Sequence, residues 1–458
     1  MELSLKSNRA AILKEKLFNS IGLPFRDVLT ETMIQQELEN EGVSYRKRLY
    51  TPMITLWTWL CQVIDKDKSC KKAVSRTTSY LAAEGGTPPS TDTGAYCKAR
   101  KRLKERILLR LLRYTGKHLH QQNQEELWCG HRVFIVDGST ITMADTEENQ
   151  TEYPQPESQA QGCGFPMANI VALFCLKTGG LIEAAIGALT THEINLFRSL
   201  YQCLQPGDIA LGDRLYGTYA DICLLKARRV DSVFRIHWRR KTDFRKGKIM
   251  GCYDHIVKWT KPYACSQGLA SVLYAQLPES IYLREVRFRV EVKGFRTQQV
   301  TLVTTLLDIE LYPREALAEL YSHRWDVEID LRHVKTTMQM EHLSCKTPEM
   351  VRKEFYTHLL AYNLIRTIMY QASVEYGGEP SGISFQATIQ HLRNFSYALA
   401  YADAWILDRL YRTLLYLVFK ERLLIRPGRV EPILKKRRPK DYKYLQKPRR
   451  QLRMELTA

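Results

Sequence analysis

The sequence predicts an α/β protein with helical regions at both ends and a β-rich insertion. Three observations predict it. Apolar residues recur at helical spacing from Glu2 to about Glu125 and again from about residue 305 to Leu424. Between His131 and Asp213, short apolar strand runs alternate with helical segments. From Val230 to Thr304, strand patterns replace helices almost entirely.

The first 125 residues read as a helical DNA-binding region. Leu103, Ile107 and Leu111 recur every four residues with Leu108 and Leu112 beside them, while Lys98, Arg102, Arg106 and Arg110 form a parallel row. One helix with an apolar and a cationic face accounts for this, and Thr91, Asp92 and Thr93 offer N-caps upstream. The run Lys98-Ala99-Arg100-Lys101-Arg102 contains no acid, so Arg100, Lys101 and Arg102 are candidates for DNA-backbone contact; a solvated surface face explains them equally well.

Residues 126–229 form the first part of an α/β core. Val133-Phe134-Ile135-Val136 is a buried-strand run closing at Asp137-Gly138, and Val171–Cys175, Leu181–Ala188 and Ile209–Leu211 are further strands. The insertion, residues 230–304, includes a clean period of two, with Val286, Phe288, Val290 and Val292 alternating with Arg287, Arg289 and Glu291. Residues 305–395 return to the core, with Pro313 suited to a first helical turn. Residues 396–458 end in a basic, proline-punctuated tail, Lys435-Lys436-Arg437-Arg438-Pro439-Lys440 and Lys447-Pro448-Arg449-Arg450. From Arg422 onward, 13 Lys and Arg face three acids, with Tyr442 and Tyr444 interleaved, which favours nucleic-acid contact over a merely solvated tail.

Composition narrows the function. At roughly 150 residues per domain, 458 residues suggest about three domains. Hydrophobic residues at 45% and charged residues at 26% describe a folded chain, and a net charge of +19 attracts polyanions. No signal-peptide pattern follows Met1 and no run reaches the length of a membrane span, so a cytoplasmic, non-membrane protein is expected. Eleven cysteines without a CxxC pair read as buried, reduced thiols.

Metal-dependent phosphoryl chemistry needs carboxylates converging from separate elements. Asp137 and Asp213 each end an apolar strand beside a glycine, although turn duty also puts Asp there. A third acid is picked out by helical geometry. At about 100° per residue, Tyr321, Arg324, Glu328 and Lys335 fall on one stripe, with Val327, Leu331, Val334 and Met338 on one flank and Trp325 and Ile329 on the other. Asp326 and Asp330 fall on the opposite face, expected to be wet. A charged row bounded by apolar residues fits a phosphate-handling site, or a partly buried Arg–Glu–Lys network. Asp145, Glu193 and Asp308 are weaker acids: turn or cap duty suits Asp308, and a surface ion pair suits Glu193.

The spacing Tyr321-x2-Arg324-x3-Glu328-x6-Lys335 resembles the Y-(2)-R-(3)-E-(6)-K signature of DDE transposases of bacterial insertion sequences, in the group named after insertion sequence four. Asp137-Gly138-Ser139-Thr140 and Gly207-Asp208 to Asp213-Arg214 are similar to the segments carrying that family's first two acids. The likeness runs from about Thr55 to near the C-terminus. It implies a ribonuclease-H-like catalytic core interrupted by the insertion, with Asp137, Asp213 and Glu328 holding Mg²⁺ (Mn²⁺ substituting). Tyr321, Arg324, Lys335 and Arg214 would then contact DNA, together with the basic tail residues Lys435, Lys436, Arg437 and Arg438. The resemblance also implies a homodimer on double-stranded DNA, joining terminal inverted repeats to target DNA by cut-and-paste chemistry. In this family an insertion-domain aromatic often receives a flipped base, for which Trp238, Trp259 and Phe295 are candidates. A metal-dependent nuclease of similar fold and a catalytically silent DNA-binding relic are the alternative readings.

Overall fold

The computed structural model describes residues 2–25, 28–46, 48–85, 89–121, 127–290, 298–423 and 445–457, without the side chains of residues 2–8, 290, 298, 325 and 326. The chain divides into two compact units. One is helical, comprising Met1–Asn123, Thr178–Ile182 and Arg332–Leu423; the other carries the sheet, comprising Gln124–Lys177, Glu183–Leu331 and Leu424–Ala458. The segment expected to complete the core, residues 305–395, is thus divided: Glu328 stays with the sheet, while the helices after Leu331 join the N-terminal helices.

The helical unit is built around two apolar helices. Pro52–Ile64 is buried from Met53 to Ile64, and Thr51 caps it by accepting from the Ile54 amide. Pro348–Tyr376 runs buried for most of its 29 residues. Polar groups are buried inside as well; Asn363, for one, accepts from the Leu181 amide at 2.9 Å and donates to its carbonyl at 2.8 Å. The single cationic helix expected near residue 100 is two helices, Gly94–Arg102 and Glu105–Gln121. The break falls at Leu103, whose ψ of 121° is extended and whose side chain is buried. No helix among the described residues is long and apolar enough to cross a membrane.

The main strands are β1 (Val133–Met143), β2 (Met167–Cys175), β3 (Leu181–Ala188, in the sheet unit from Glu183 on), β4 (Ile209–Gly212), β5 (Asp231–Arg235), β6 (Lys248–Gly251), β7 (Asp254–Thr260), β8 (Ser280–Val290) and β9 (Gln298–Thr304). Their order across the sheet is β3-β2-β1-β4-β5-β9-β8-β7-β6. β1, β4 and β5 run parallel, which requires crossover connections, whereas β2 is antiparallel to β1 and the strands from β5 through β9, β8, β7 and β6 pair antiparallel. The β-rich insertion therefore extends the central sheet and includes one short helix, Ser271–Ala275. Arg284 on β8 ties it down, donating to both Asp254 oxygens at 2.8 and 2.6 Å and to the Tyr312 carbonyl at 2.7 Å, all in buried surroundings.

The cysteines follow no single pattern. No disulfide forms among the described residues; Cys61, Cys163, Cys175, Cys223 and Cys345 are buried as expected, but Cys252 and Cys265 are exposed.

Candidate active site

Sheet register brings the first two acids together. β1 and β4 pair in parallel up to Ile135 opposite Leu211, and two residues further along each chain stand Asp137 and Asp213. The apolar runs before them are buried on both faces, which fixes this register and the exit point of both carboxylates. Asp137 does not end its strand as the sequence suggested. β1 continues to Met143 because β2 keeps pairing with it from Phe134 to Thr142 after β4 has stopped. Asp213 does begin a turn, accepting from the Leu215 amide at 2.7 Å.

Glu328 arrives on the helix Arg324–Arg332, where Arg324 donates to its carboxylate at 2.7 Å. The guanidinium is the more buried partner, its side chain 13% exposed against 53% for Glu328. Burial pushes the Asp137 carboxyl up to about 6, with the charges of Asp213 and Glu328 adding to the effect; the Gly138 amide at 2.9 Å and Arg324 oppose it. Asp137, Asp213, Glu328 and Arg324 thus act on one another within one unit.

The rest of the stripe is only partly as periodicity drew it. Val327, Leu331, Val334 and Met338 are buried as expected, but Asp330, expected on the wet face, is 7% exposed, and Ile329, expected on an apolar flank, is 40% exposed. Within the helix Arg324–Arg332 the buried side thus takes in Asp330 beside Val327 and Leu331, and the stripe itself is not one uniform helix. Tyr321 belongs to a separate helix, Arg314–Ser322, and Lys335 lies on a π-helical turn, His333–Thr337, in the helical unit. A π turn hydrogen-bonds five residues back, so a constant angular step misplaces the residues beyond it. Tyr321 is 1% exposed, with its ring 6.5 Å from Phe288. Burial pushes its phenol up, while Arg324, Arg235 and Arg214 favour the ionised form. Tyr321 is therefore packed inside, with Arg324, Arg235 and Arg214 near enough to act on its phenol. Arg214 itself is exposed.

Of the basic candidates in the helical unit, Arg100 is misassigned. It is 8% exposed, lies 4.9 Å from the Trp59 ring and 5.3 Å from the Tyr96 ring, and donates to Cys70 Sγ at 3.2 Å. A three-residue run on a helix cannot all face outward, and Arg100 occupies the inner side. Lys101 and Arg102 are exposed. Arg102 lines a groove with Lys98, Arg48 and Arg9, continuing past Lys104 and Arg46; Asp92 is its one lining acid among the described residues, and that carboxylate accepts from the Gly94 amide. Lys435, Lys436, Arg437 and Arg438 lie outside the described residues. Further on, Arg449 is engaged within the protein, 3.8 Å over the Phe165 ring and donating to the Gly164 carbonyl at 2.9 Å.

The minor acids separate cleanly. Asp308 accepts from the Glu310 and Leu311 amides at 2.9 and 3.1 Å, the expected turn duty. Asp145 accepts from Gln150 at 2.8 Å. Glu193 forms no surface ion pair among the described residues; it lies against Gly138, beside Asp137. Two residues that the sequence did not single out also belong here. They are Arg235, at the end of β5, and Tyr216, whose buried hydroxyl finds no partner among the described residues. A strand-terminal cation was the available signal for Arg235; nothing in the sequence marked Tyr216. Among the insertion aromatics, Trp259 is buried and donates to Glu285 at 2.7 Å, Trp238 is 68% exposed, and Phe295 lies outside the described residues.

The donor set is all oxygen and anionic, which suits a hard divalent cation. Among the described residues, no three His, Cys, Asp or Glu side chains stand close enough to hold an ion without movement. Glu328, turned onto Arg324, is one reason.

A strand-borne aspartate, a second in the turn after β4, and a helix-borne glutamate and arginine make the kind of site that phosphoryl transfer uses, and comparison with known proteins gives the particular family. Residues 128–364 match the family described as "Transposase DDE domain", a span of more than half the chain that contains Asp137, Asp213 and Glu328. The chain belongs to the DDE transposases, in the group of insertion sequence four. It is 27% identical over 427 residues to "Transposase InsG for insertion sequence element IS4" of Escherichia coli (strain K12), covering 91% of this chain and 92% of that protein. A solved piggyBac transposase synaptic complex with hairpin DNA aligns over 91% of this chain and 88% of that one, at 10% identity and a TM-score of 0.43.

Proposed function

We propose that the chain binds the terminal inverted repeats of its own insertion sequence and catalyses their cleavage and transfer into target DNA, with Asp137, Asp213 and Glu328 as ligands of Mg²⁺, or of Mn²⁺ in its place. The observation that carries this reading is the convergence of those three acids with Arg324 in one unit. The strand order β3-β2-β1-β4-β5, with β1, β4 and β5 parallel, supports a ribonuclease-H-like core.

The bound cation supplies activation of the attacking oxygen and stabilisation of the leaving one. The chain's own residues do the rest. The buried faces of β1 and β4 hold Asp137 and Asp213 at fixed separation, so little reorganisation is needed when the scissile phosphate arrives. Glu328 must leave Arg324 to become a ligand, and that exchange frees the guanidinium for the phosphate. Buried Tyr321 backs Arg324, and Arg214 and Arg235 lie close enough to the same ring to receive the flanking backbone. Arg102, Lys98, Arg48 and Arg9 offer a groove for duplex DNA in the helical unit. Of Trp238 and Trp259, the candidates among the described residues, Trp238 is the exposed one, between His237 and Arg239, and could stack on a base. Cut-and-paste chemistry acts on two ends at once, which calls for two copies of the chain, working in the cytoplasm on the bacterial chromosome.

The test uses purified protein, Mg²⁺ and a labelled duplex ending in the inverted repeats that flank its gene, beside a scrambled end. Cleavage at the repeat tip followed by joining to a plasmid is the expected result. Nicking that ignores end sequence would establish a nuclease instead, and specific binding without cleavage a relic.

A further inference from the structure

The acid site holds one carboxylate more than Asp137, Asp213 and Glu328. Glu193 opens the helix Glu193–Leu200, after His192 at the N-cap. An acid in a first helical turn gains from the helix dipole, and an exposed one there commonly pairs with a surface cation. Glu193 is placed differently. It is half-buried, and among the described residues no cation and no hydrogen-bond donor serves its carboxylate. Arg324 counters Asp137 and Glu328 but is not among the charges acting on Glu193.

What Glu193 faces is the first aspartate's strand. A Cβ at residue 138 would come 2.6 Å from Glu193 Cδ and 3.1 Å from Oε1, so only glycine after Asp137 leaves room for this carboxylate. The helix that carries it is firmly held. Arg198, one turn on, donates to both oxygens of Asp221 at 2.7 and 3.0 Å, and Asp221, fully buried, also accepts from Tyr201 at 2.8 Å. The approach of Glu193 to β1 is thus built in and is not the chance pose of a surface side chain.

A second, independent feature points into the same space. Tyr216 is 1% exposed and its hydroxyl meets no partner among the described residues, yet the carboxylates acting on it are Glu193, Asp137 and Asp213. A buried hydroxyl left unpaired is costly, and half-buried like charges crowded together are costly as well. Both are relieved by a cation with its water shell among these residues.

We propose that Glu193 is a fourth carboxylate of the divalent-cation site formed by Asp137, Asp213 and Glu328. The proposal rests on the metal-dependent reading of the proposed function, and its test separates the two. Mn²⁺ binding to the full chain is measured by loss of the free-ion electron paramagnetic resonance signal, and thermal unfolding is followed with and without Mn²⁺. Glu193→Gln should weaken Mn²⁺ binding about 10- to 100-fold, raise the unfolding temperature of the metal-free chain by removing repulsion, and shrink the rise that Mn²⁺ produces. Gly138→Ala, which puts a methyl group where the carboxylate lies, should weaken Mn²⁺ binding similarly with the far-ultraviolet circular dichroism unchanged. Asp137→Asn is the reference. If it loses Mn²⁺ while Glu193→Gln binds normally and unfolds at a lower temperature, Glu193 is only a helix-terminal acid and the proposal falls. If Gly138→Ala folds and binds Mn²⁺ like the parent chain, the proposal falls as well. If Asp137→Asn also leaves Mn²⁺ binding intact, the metal centre of the proposed function falls with it.

Discussion

The two charged regions of this molecule are built in opposite ways. In the sheet unit a few carboxylates sit half-buried on β1, on the turn after β4 and on a helix, close enough to perturb one another. In the helical unit the groove cations Arg48, Lys98 and Arg102 stand in water, spread over a loop and a helix. The acid site gains strength from burial, since charges act strongly where water is excluded and the groups holding them do not move. The groove gains from exposure: its work is to displace counter-ions from a polyanion, which needs many accessible charges and no exact geometry. Substitutions should therefore alter chemistry in one region and salt-dependent affinity in the other.

The sharpest break in that contrast comes from the acids. Glu328→Gln and Asp137→Asn should each lower end cleavage about 10⁴-fold or more while end binding, measured by gel shift, stays close to that of the parent chain. Equal loss of both activities would remove these residues from the chemistry. On the other side, Arg48→Ala with Arg102→Ala should flatten the slope of log K against log salt by about 0.9 for each phosphate no longer neutralised. An unchanged slope would mean that DNA does not lie in this groove.

Arg100 sharpens the comparison within a single helix. Because it lies under Trp59 and Tyr96, Arg100→Ala should cost about 2 kcal/mol of stability, seen in denaturant unfolding, and leave the salt slope of DNA binding untouched. A flattened slope without destabilisation would return Arg100 to the DNA interface.

The smallest effect is a pH dependence. The Asp137 carboxyl is raised from 3.8 to about 6, so the folded chain holds that proton more tightly than the unfolded chain does. The stabilisation is complete below about pH 4 and is lost as the pH rises through about 6. Thermal unfolding in a chelating buffer should decline across that window, and Asp137→Asn should remove the decline. A flat profile in the parent chain would mean that Asp137 is better solvated than the structure shows.

Much of the molecule was legible from its sequence, for a physical reason. Buried strands and helix faces are selected residue by residue for burial, so Val133–Val136, Ile209–Leu211 and the alternation of Val286 and Phe288 announce their elements locally. The three acids, with the spacing from Tyr321 to Lys335, also sit on those local patterns. What local pattern could not carry was any feature that depends on a neighbour distant in sequence. The continuation of β1 past Asp137 is decided by β2. The burial of Arg100 is decided by Trp59, and that of Tyr321 by packing that includes Phe288. Asp330 shares the packed side of the helix Arg324–Arg332 with Val327 and Leu331, a burial that only packing against the rest of the unit could decide.

By itself, then, the sequence determined the class of elements, the basic character that draws the chain to polyanions, and the acids available for chemistry, because each is a property of residue type and local period. Only the tertiary structure decided which charges face DNA and which are packed away. It alone turned Glu193 from a surface acid into a neighbour of Asp137, since that meeting needs a helix after β3, a glycine in β1 and a buried Arg198–Asp221 pair to coincide in space.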